Sequence, residues 1–223
     1  IRTIYIIYVN TIFYYFDMKK PFFWEKAKKH LVSKDKKLGK IIINYKKDFL
    51  YTKSDPFYTL ARSITGQQIS VNAAQAVWDK FEKKIIKVNP KNTLKLHYMS
   101  LKACGFSRQK ISYLRSLSKG FLEKEIDPKK WNSFSDEAII NELTKIKGVG
   151  RWTAEMFLIF NLCRPDIFPA DDLGLIKGIC KCYDIQYPIE KSIAIKMSEK
   201  WKPFRSVATW YFWRSLDPMP VEY

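Results

Sequence analysis

Gly148 and Gly150 stand on either side of one valine, between two apolar runs that both repeat at helical spacing. Ile139, Leu143 and Ile146 recur at i, i+4 and i+7 on the amino-terminal side, and Ala154, Phe157, Leu158 and Leu162 continue the period after the glycines. Glycine tolerates positive φ, so this spacing predicts two helices joined by a sharp reversal. A helix beginning near Arg151 would aim free backbone N–H groups and its positive dipole end at the hairpin, a ready place for a phosphate. Lys145, Lys147 and Arg151 add positive charge around the same turn.

The rest of the composition agrees with a packed helical protein. Of 223 residues, 47% are hydrophobic and 16% aromatic, which excludes a disordered chain. Glycines and prolines fall between periodic runs rather than inside them, so the expected fold class is all-α. Lysine and arginine exceed aspartate and glutamate by 40 to 22, a formal net charge of +18 that suits a polyanion. Cys104, Cys163, Cys180 and Cys182 make no CxxC, and His30 and His97 stand alone, which argues against zinc and a four-cysteine iron–sulfur cluster. Free thiols in a reducing compartment are the simplest account.

Residues 1–17, apolar and aromatic, are shorter than a bilayer-spanning helix requires and read as an extension preceding a domain that starts near Met18. Trp24, Ala27, Leu31 and Val32 predict a first amphipathic helix, and Lys34 to Lys47 reads as a charged link. Asp55-Pro56 starts a helix whose Phe57, Leu60, Ala61 and Ile64 face a core. Gly66-Gln67-Gln68-Ile69-Ser70 then breaks the apolar pattern, either as a helix end and restart capped by glutamines or as a loop with a functional role. Ile111, Leu114 and Leu117 mark a further helix, with Arg108, Lys110 and Arg115 on its exposed side. Asp127-Pro128 to Trp131 reads as a loop, and Ser135-Asp136 caps the first hairpin helix. In Pro169-Ala-Asp171-Asp172-Leu-Gly174, one aspartate caps the next helix and the other is open to chemistry. The 22 positions from Gly150 to Asp172 suffice for one helix and a return to the hairpin.

The stretches IKGVGRWTAEMF and DIFPADDLGL closely resemble the helix-hairpin-helix (HhH-GPD) DNA glycosylases, in the branch of 3-methyladenine DNA glycosylase II. DPFYTLARSITGQQISVNAAQAVWDKF and CGFSRQKISYLRSLSKGF look like the same family, and the resemblance covers roughly Met18 to Asp217. It implies two helical lobes with a DNA-binding cleft between them, one lobe from residues 52–165 ending in the hairpin, the other from 18–51 plus 166–223. The implied activity is monofunctional: hydrolysis of the N-glycosidic bond of alkylated purines in double-stranded DNA after base flipping, for base excision repair.

By the same resemblance Asp172 is the catalytic carboxylate and Asp171 its capping neighbour. Trp152, Trp213 and Met156 line the base pocket, although some relatives place a tyrosine where Met156 stands. Trp213 fits a core position equally well. Lys147, Gly148, Val149, Gly150, Arg151 and Thr153 grip DNA, and Gln68 or Ile69 fills the gap left by the everted base. The carbonyls of Thr144, Ile146 and Val149 match positions that hold a monovalent cation in the family. No other metal and no cofactor is implied. The expected partner is double-stranded DNA, with no membrane; the chain is expected to work as a monomer in the cytoplasm, or in the nucleus of a eukaryote. Strand-cleaving relatives carry a Schiff-base lysine at the position of Trp152, which a tryptophan cannot replace. Three readings stand against this one: a hairpin module that only binds DNA, a bifunctional glycosylase/lyase for oxidised bases, and a membrane-anchored basic protein resting on Ile1–Phe16.

Overall fold

The computed structural model describes residues 20–52 and 55–217; the extension at 1–17 and the domain start at Met18 lie outside them. The described residues form helices joined by short turns. Helix α1 (Trp24–Lys34) buries Trp24, Ala27 and Leu31, one side of a helix, while Val32 turns outward.

The expected charged link is instead a second helix, α2 (Lys36–Asn44). Asp35 explains it. Its Oδ1 accepts the N–H groups of Lys37 and Leu38, so the residue that ends α1 also caps α2. Its Oδ2 accepts the Trp201 indole N–H at 2.8 Å and the Tyr183 hydroxyl, which ties the joint to the carboxy-terminal helices.

Asp55 caps α3 (Pro56–Gly66) by accepting the Tyr58 N–H. This helix buries polar as well as apolar residues. Ser63 and Thr65 return their hydroxyl protons to the carbonyls of Thr59 and Ala61, so neither hydroxyl is stranded. Ser70 caps α4 (Val71–Lys84); α5 (Pro90–Lys95), α6 (Tyr98–Ala103) and α7 (Arg108–Leu122) follow. On α7 only part of the expected basic face is free. The Lys110 ammonium donates to Thr65 O, and Arg115 donates to Leu96 O. The expected loop at Trp131 is a 3-10 turn, Pro128–Ser133, with that indole fully buried.

Ser135 caps α8 (Asp136–Leu143) as expected, and α9 (Arg151–Phe160) buries every residue from Thr153 to Phe160. Helix α9 packs against α3 and α8. Then come α10 (Leu173–Tyr183), α11 (Lys191–Ser198) and α12 (Arg205–Arg214). Helix α12 packs on α1, α2 and α10, and its Trp210 is core, as are Trp201 and Phe204. No helix among the described residues is long and apolar enough to cross a membrane.

Candidate active site

The reversal between α8 and α9 uses its two glycines differently. Gly148 has φ +92, and a Cβ there would lie 2.1 Å from Cγ of Tyr113 on α7. Only glycine satisfies both conditions. Gly150 has φ −89 and is extended, so it needs no conformational freedom, contrary to the expectation that both glycines bend the chain. It is the N-cap of α9, and no atom lies within 4 Å of where its Cβ would be. The open backbone therefore leads straight to the first N–H groups of α9, which have no acceptor inside the helix.

The side chains around the turn divide. Val149 is buried, and its N–H donates to the Ile146 carbonyl at 3.0 Å, which uses one lone pair of an oxygen in the expected cation set. Thr144 O and Val149 O belong to the same turn. Lys145 and Lys147 are exposed. Arg151 was expected to face a phosphate, but its guanidinium lies between Glu137 and Glu155, bonding to both. Thr153 is 1% exposed, so its hydroxyl does not reach the surface.

Gln67 explains where that hydroxyl goes. Its Nε2 donates to Thr153 Oγ1 and to Gly148 O, each at 2.9 Å, and so staples the α3–α4 turn to the hairpin. Sequence reasoning left this residue among undifferentiated capping glutamines. A glutamine beside a helix break carries no mark of a partner 81 residues away. Gln68, its neighbour, is exposed at φ +57, a left-handed conformation unusual for this residue type, and Ile69 beside it is 41% exposed.

The carboxylate at the start of α10 is the other fixed point. Asp172 sits in extended backbone after the Pro169 turn, and its Oδ1 accepts the Leu175 N–H at 2.6 Å. It is therefore the helix cap itself. Asp171, expected to be the cap, points away and pairs with Lys191. One more indole N–H reaches each carboxylate oxygen: Trp213 Nε1 to Oδ1 at 2.8 Å and Trp152 Nε1 to Oδ2 at 2.7 Å. Three donors from α9, α10 and α12 thus fix one carboxylate.

A cavity of about 240 Å³ opens over it, lined by Trp152, Met156, Asp172 and Trp213 together with Arg62 and Ile69. Trp213 is 7% exposed and stacks on Phe160, with centroids 5.9 Å apart at 11°, so it serves core and cavity wall at once. The two tryptophans orient the carboxylate with their N–H edges and line the cavity as well, a double use that residue spacing did not disclose. Arg62 was missed, because on sequence it is one basic residue in an otherwise apolar helix.

A second hollow lies on the other side of α9, between Glu137, Arg151, Glu155, Asp166, Lys191 and Arg205. There the charges neutralise one another: Arg151 with Glu137 and Glu155, Lys191 with Asp171, Arg205 with Asp166. Burial pushes the Glu155 carboxyl up to about 7, even with Arg151 beside it. Such a hollow is largely ion-paired, Asp136 with Arg164 included, although Asp136 Oδ1 lacks a hydrogen-bond partner among the described residues, whereas the Asp172 cavity presents a carboxylate between aromatic walls. Among the described residues no His, Cys, Asp and Glu converge as metal ligands.

With that geometry in place, the comparisons with known proteins agree on one family. The signature of the HhH-GPD superfamily of base excision DNA repair proteins matches residues 61–203. The DNA-3-methyladenine glycosylase 1 of Schizosaccharomyces pombe is 36% identical over 199 residues, covering 85% of this chain and 86% of its own. An alkylbase DNA glycosidase-like protein from the same yeast is 31% identical, covering 88% and 96%. The solved structure of the S. pombe 3-methyladenine DNA glycosylase in complex with abasic DNA superposes with a TM-score of 0.77 at 35% identity, over 85% of this chain and 96% of that one. Through its hairpin, its all-helical fold and these matches, the chain belongs to the HhH-GPD superfamily of base excision DNA repair proteins.

Proposed function

We propose that this protein is a DNA glycosylase that hydrolyses the N-glycosidic bond of alkylated purines, of the 3-methyladenine and 7-methylguanine type, in double-stranded DNA. The reading rests on one observation above all: a carboxylate held by three N–H donors at a cavity with two indoles in its walls. An N3- or N7-alkylated purine is cationic, so electron-rich ring faces attract it. When its bond to C1′ breaks, the sugar becomes oxocarbenium-like. Asp172 stabilises that charge and orients the attacking water, the charge logic of sugar hydrolases. Trp152 stands where a strand-cleaving relative needs an amine, so the product is an intact abasic site.

The hairpin is the proposed DNA grip. The open backbone at Gly150 and the N-terminus of α9 receive a phosphate, and Lys145 and Lys147 flank it. Carbonyls of the same turn, Thr144, Ile146 and Val149, are the residues that would hold a monovalent cation between turn and phosphate. Gln68 and Ile69, on the turn that Gln67 fastens to the hairpin, fill the stack once the base has left it; the strained backbone of Gln68 fits a residue set for a task other than packing. The lobe built from residues 52–165 and the lobe from 18–51 with 166–223 then close on DNA from two sides, and the protein works as a monomer. A net charge of +18 makes binding fall steeply with salt.

Incubation with methylated duplex DNA and identification of the released bases tests this. Free methylpurines from the parent and a rate at least a hundredfold lower from Asp172→Asn are expected. Asparagine keeps the size and an oxygen for the Leu175 and Trp213 N–H groups but turns an NH2 toward the Trp152 N–H, so the Tm of the variant is measured alongside to separate folding from chemistry. Equal release by both proteins sinks the mechanism.

A further inference from the structure

The cavity over Asp172 has a second charged wall residue. Arg62 lies on α3, is 7% exposed, and lines the same space as Asp172, Trp152 and Trp213. Its place is held from outside the cavity. Nη2 donates to Gln75 Oε1 at 2.7 Å, and Gln75 Nε2 in turn donates to Asp79 Oδ1 at 2.7 Å. The guanidinium carbon stands 5.7 Å from the centroid of the Trp78 ring, which is itself anchored by its N–H to the Tyr58 hydroxyl. Burying a guanidinium is expensive, and a surface arginine does not need such a mount. The rest of the cavity wall, Gly66, Ile69, Val71, Ala74, Met156 and Gly174, brings no charge.

A fixed positive charge is a poor companion for a base that arrives cationic. It suits a base that leaves with negative charge. We infer that Arg62 is a specificity-determining residue, which stabilises the charge developing on a departing neutral purine and so sets the rate for neutral lesions relative to cationic ones. The inference builds on the proposed glycosylase reading and assigns a role to one further residue of the same site.

The electron count separates the two classes. In both, water oxygen bonds to C1′, the C1′–N9 bond breaks and its pair goes to N9. The proton lost by water ends on Asp172 or solvent. From a 7-methylguanine cation the pair leaves a neutral base. From a neutral purine such as hypoxanthine it leaves an anion, which a nearby guanidinium stabilises until a proton from solvent reaches the base. A wall sheltered from water makes that stabilisation larger than it would be in solution.

Duplexes carrying a single hypoxanthine or a single 7-methylguanine provide the test, under single-turnover conditions with enzyme in saturating excess. The parent should release both bases. Arg62→Met should lower the hypoxanthine rate constant at least tenfold more than the 7-methylguanine rate constant. Arg62→Lys should recover part of that ratio. Gln75→Ala, at an exposed position, should move the ratio the same way by a smaller factor, because the guanidinium loses its mount. Should Arg62→Met fail to fold, the Lys and Gln75 variants decide. A ratio unchanged in the variants overturns the inference, as does a parent that releases 7-methylguanine and never hypoxanthine. A parent that releases neither base refutes the glycosylase reading instead.

Discussion

A methyl group placed on Gly148, and separately on Gly150, divides the hairpin's two duties. At Gly148 the new Cβ would lie 2.1, 2.4 and 2.5 Å from three ring atoms of Tyr113, where an ordinary contact needs over 3.4 Å. The φ of +92 adds backbone strain of about 1–2 kcal/mol for an L-residue. Relief requires the ring to leave its place, where Gln109 Nε2 donates to its hydroxyl, and overpacking of this kind costs about 1–3 kcal/mol. Together these predict a loss of about 3 kcal/mol for Gly148→Ala. In a domain of this size that corresponds to about 6–12 °C in Tm.

Gly150→Ala meets nothing within 4 Å and keeps an ordinary φ, so its Tm should move by less than about 2 °C. Its methyl group nevertheless occupies the space through which a phosphate would reach α9, so duplex affinity should fall about tenfold, roughly the worth of one phosphate contact. Thermal unfolding by circular dichroism and duplex titration by fluorescence anisotropy, at one fixed salt concentration, read the two effects separately. Equal Tm losses for the two variants would refute the steric reasoning, and unchanged affinity for Gly150→Ala would refute the phosphate path.

Other expectations follow from single contacts. Trp152→Phe keeps a ring in the cavity and removes the donor to Asp172 Oδ2, so methylpurine release at saturating enzyme should drop about tenfold with little change in DNA affinity. Gln67→Ala leaves Gly148 O and Thr153 Oγ1 without their shared donor and should cost about 1–3 kcal/mol by urea unfolding. Lys147→Ala should reduce the slope of log affinity against log salt by about one. Arg151→Ala should leave that slope nearly as it was, because Glu137 and Glu155 already hold this guanidinium. Glu155 binds a proton more tightly in the folded state, at about 7, than its ordinary value of 4.5. Its contribution is therefore fully present below pH 4.5, declines as pH rises toward 7 and stays lost above. Glu155→Gln should flatten the fall in Tm between pH 5 and 8, and a parent-like slope in the variant would contradict the assignment.

How much could be read from the chain alone differs from residue to residue. Periodic burial named α1, α3 and α7, and caps set by nearest neighbours, Asp55-Pro56 and Ser135, were legible because a cap and its N–H lie within three residues. Helix α2 was not, because its three lysines match its three buried residues in number and the cap at Asp35 is also held by Trp201 and Tyr183, far along the chain.

Local order along the chain determined an all-helical protein with a glycine reversal and a carboxylate 22 positions on, since backbone freedom, periodicity and capping act over a few residues. Which aspartate faces the cavity, which glutamine grips the hairpin, and whether Arg151 meets DNA or Glu137 were decided only by packing α9 against α3 and α8, and α10 against α12. Those choices pair groups between 14 and 86 positions apart, and nothing in the flanking residues records a partner that only the fold brings within hydrogen-bond reach.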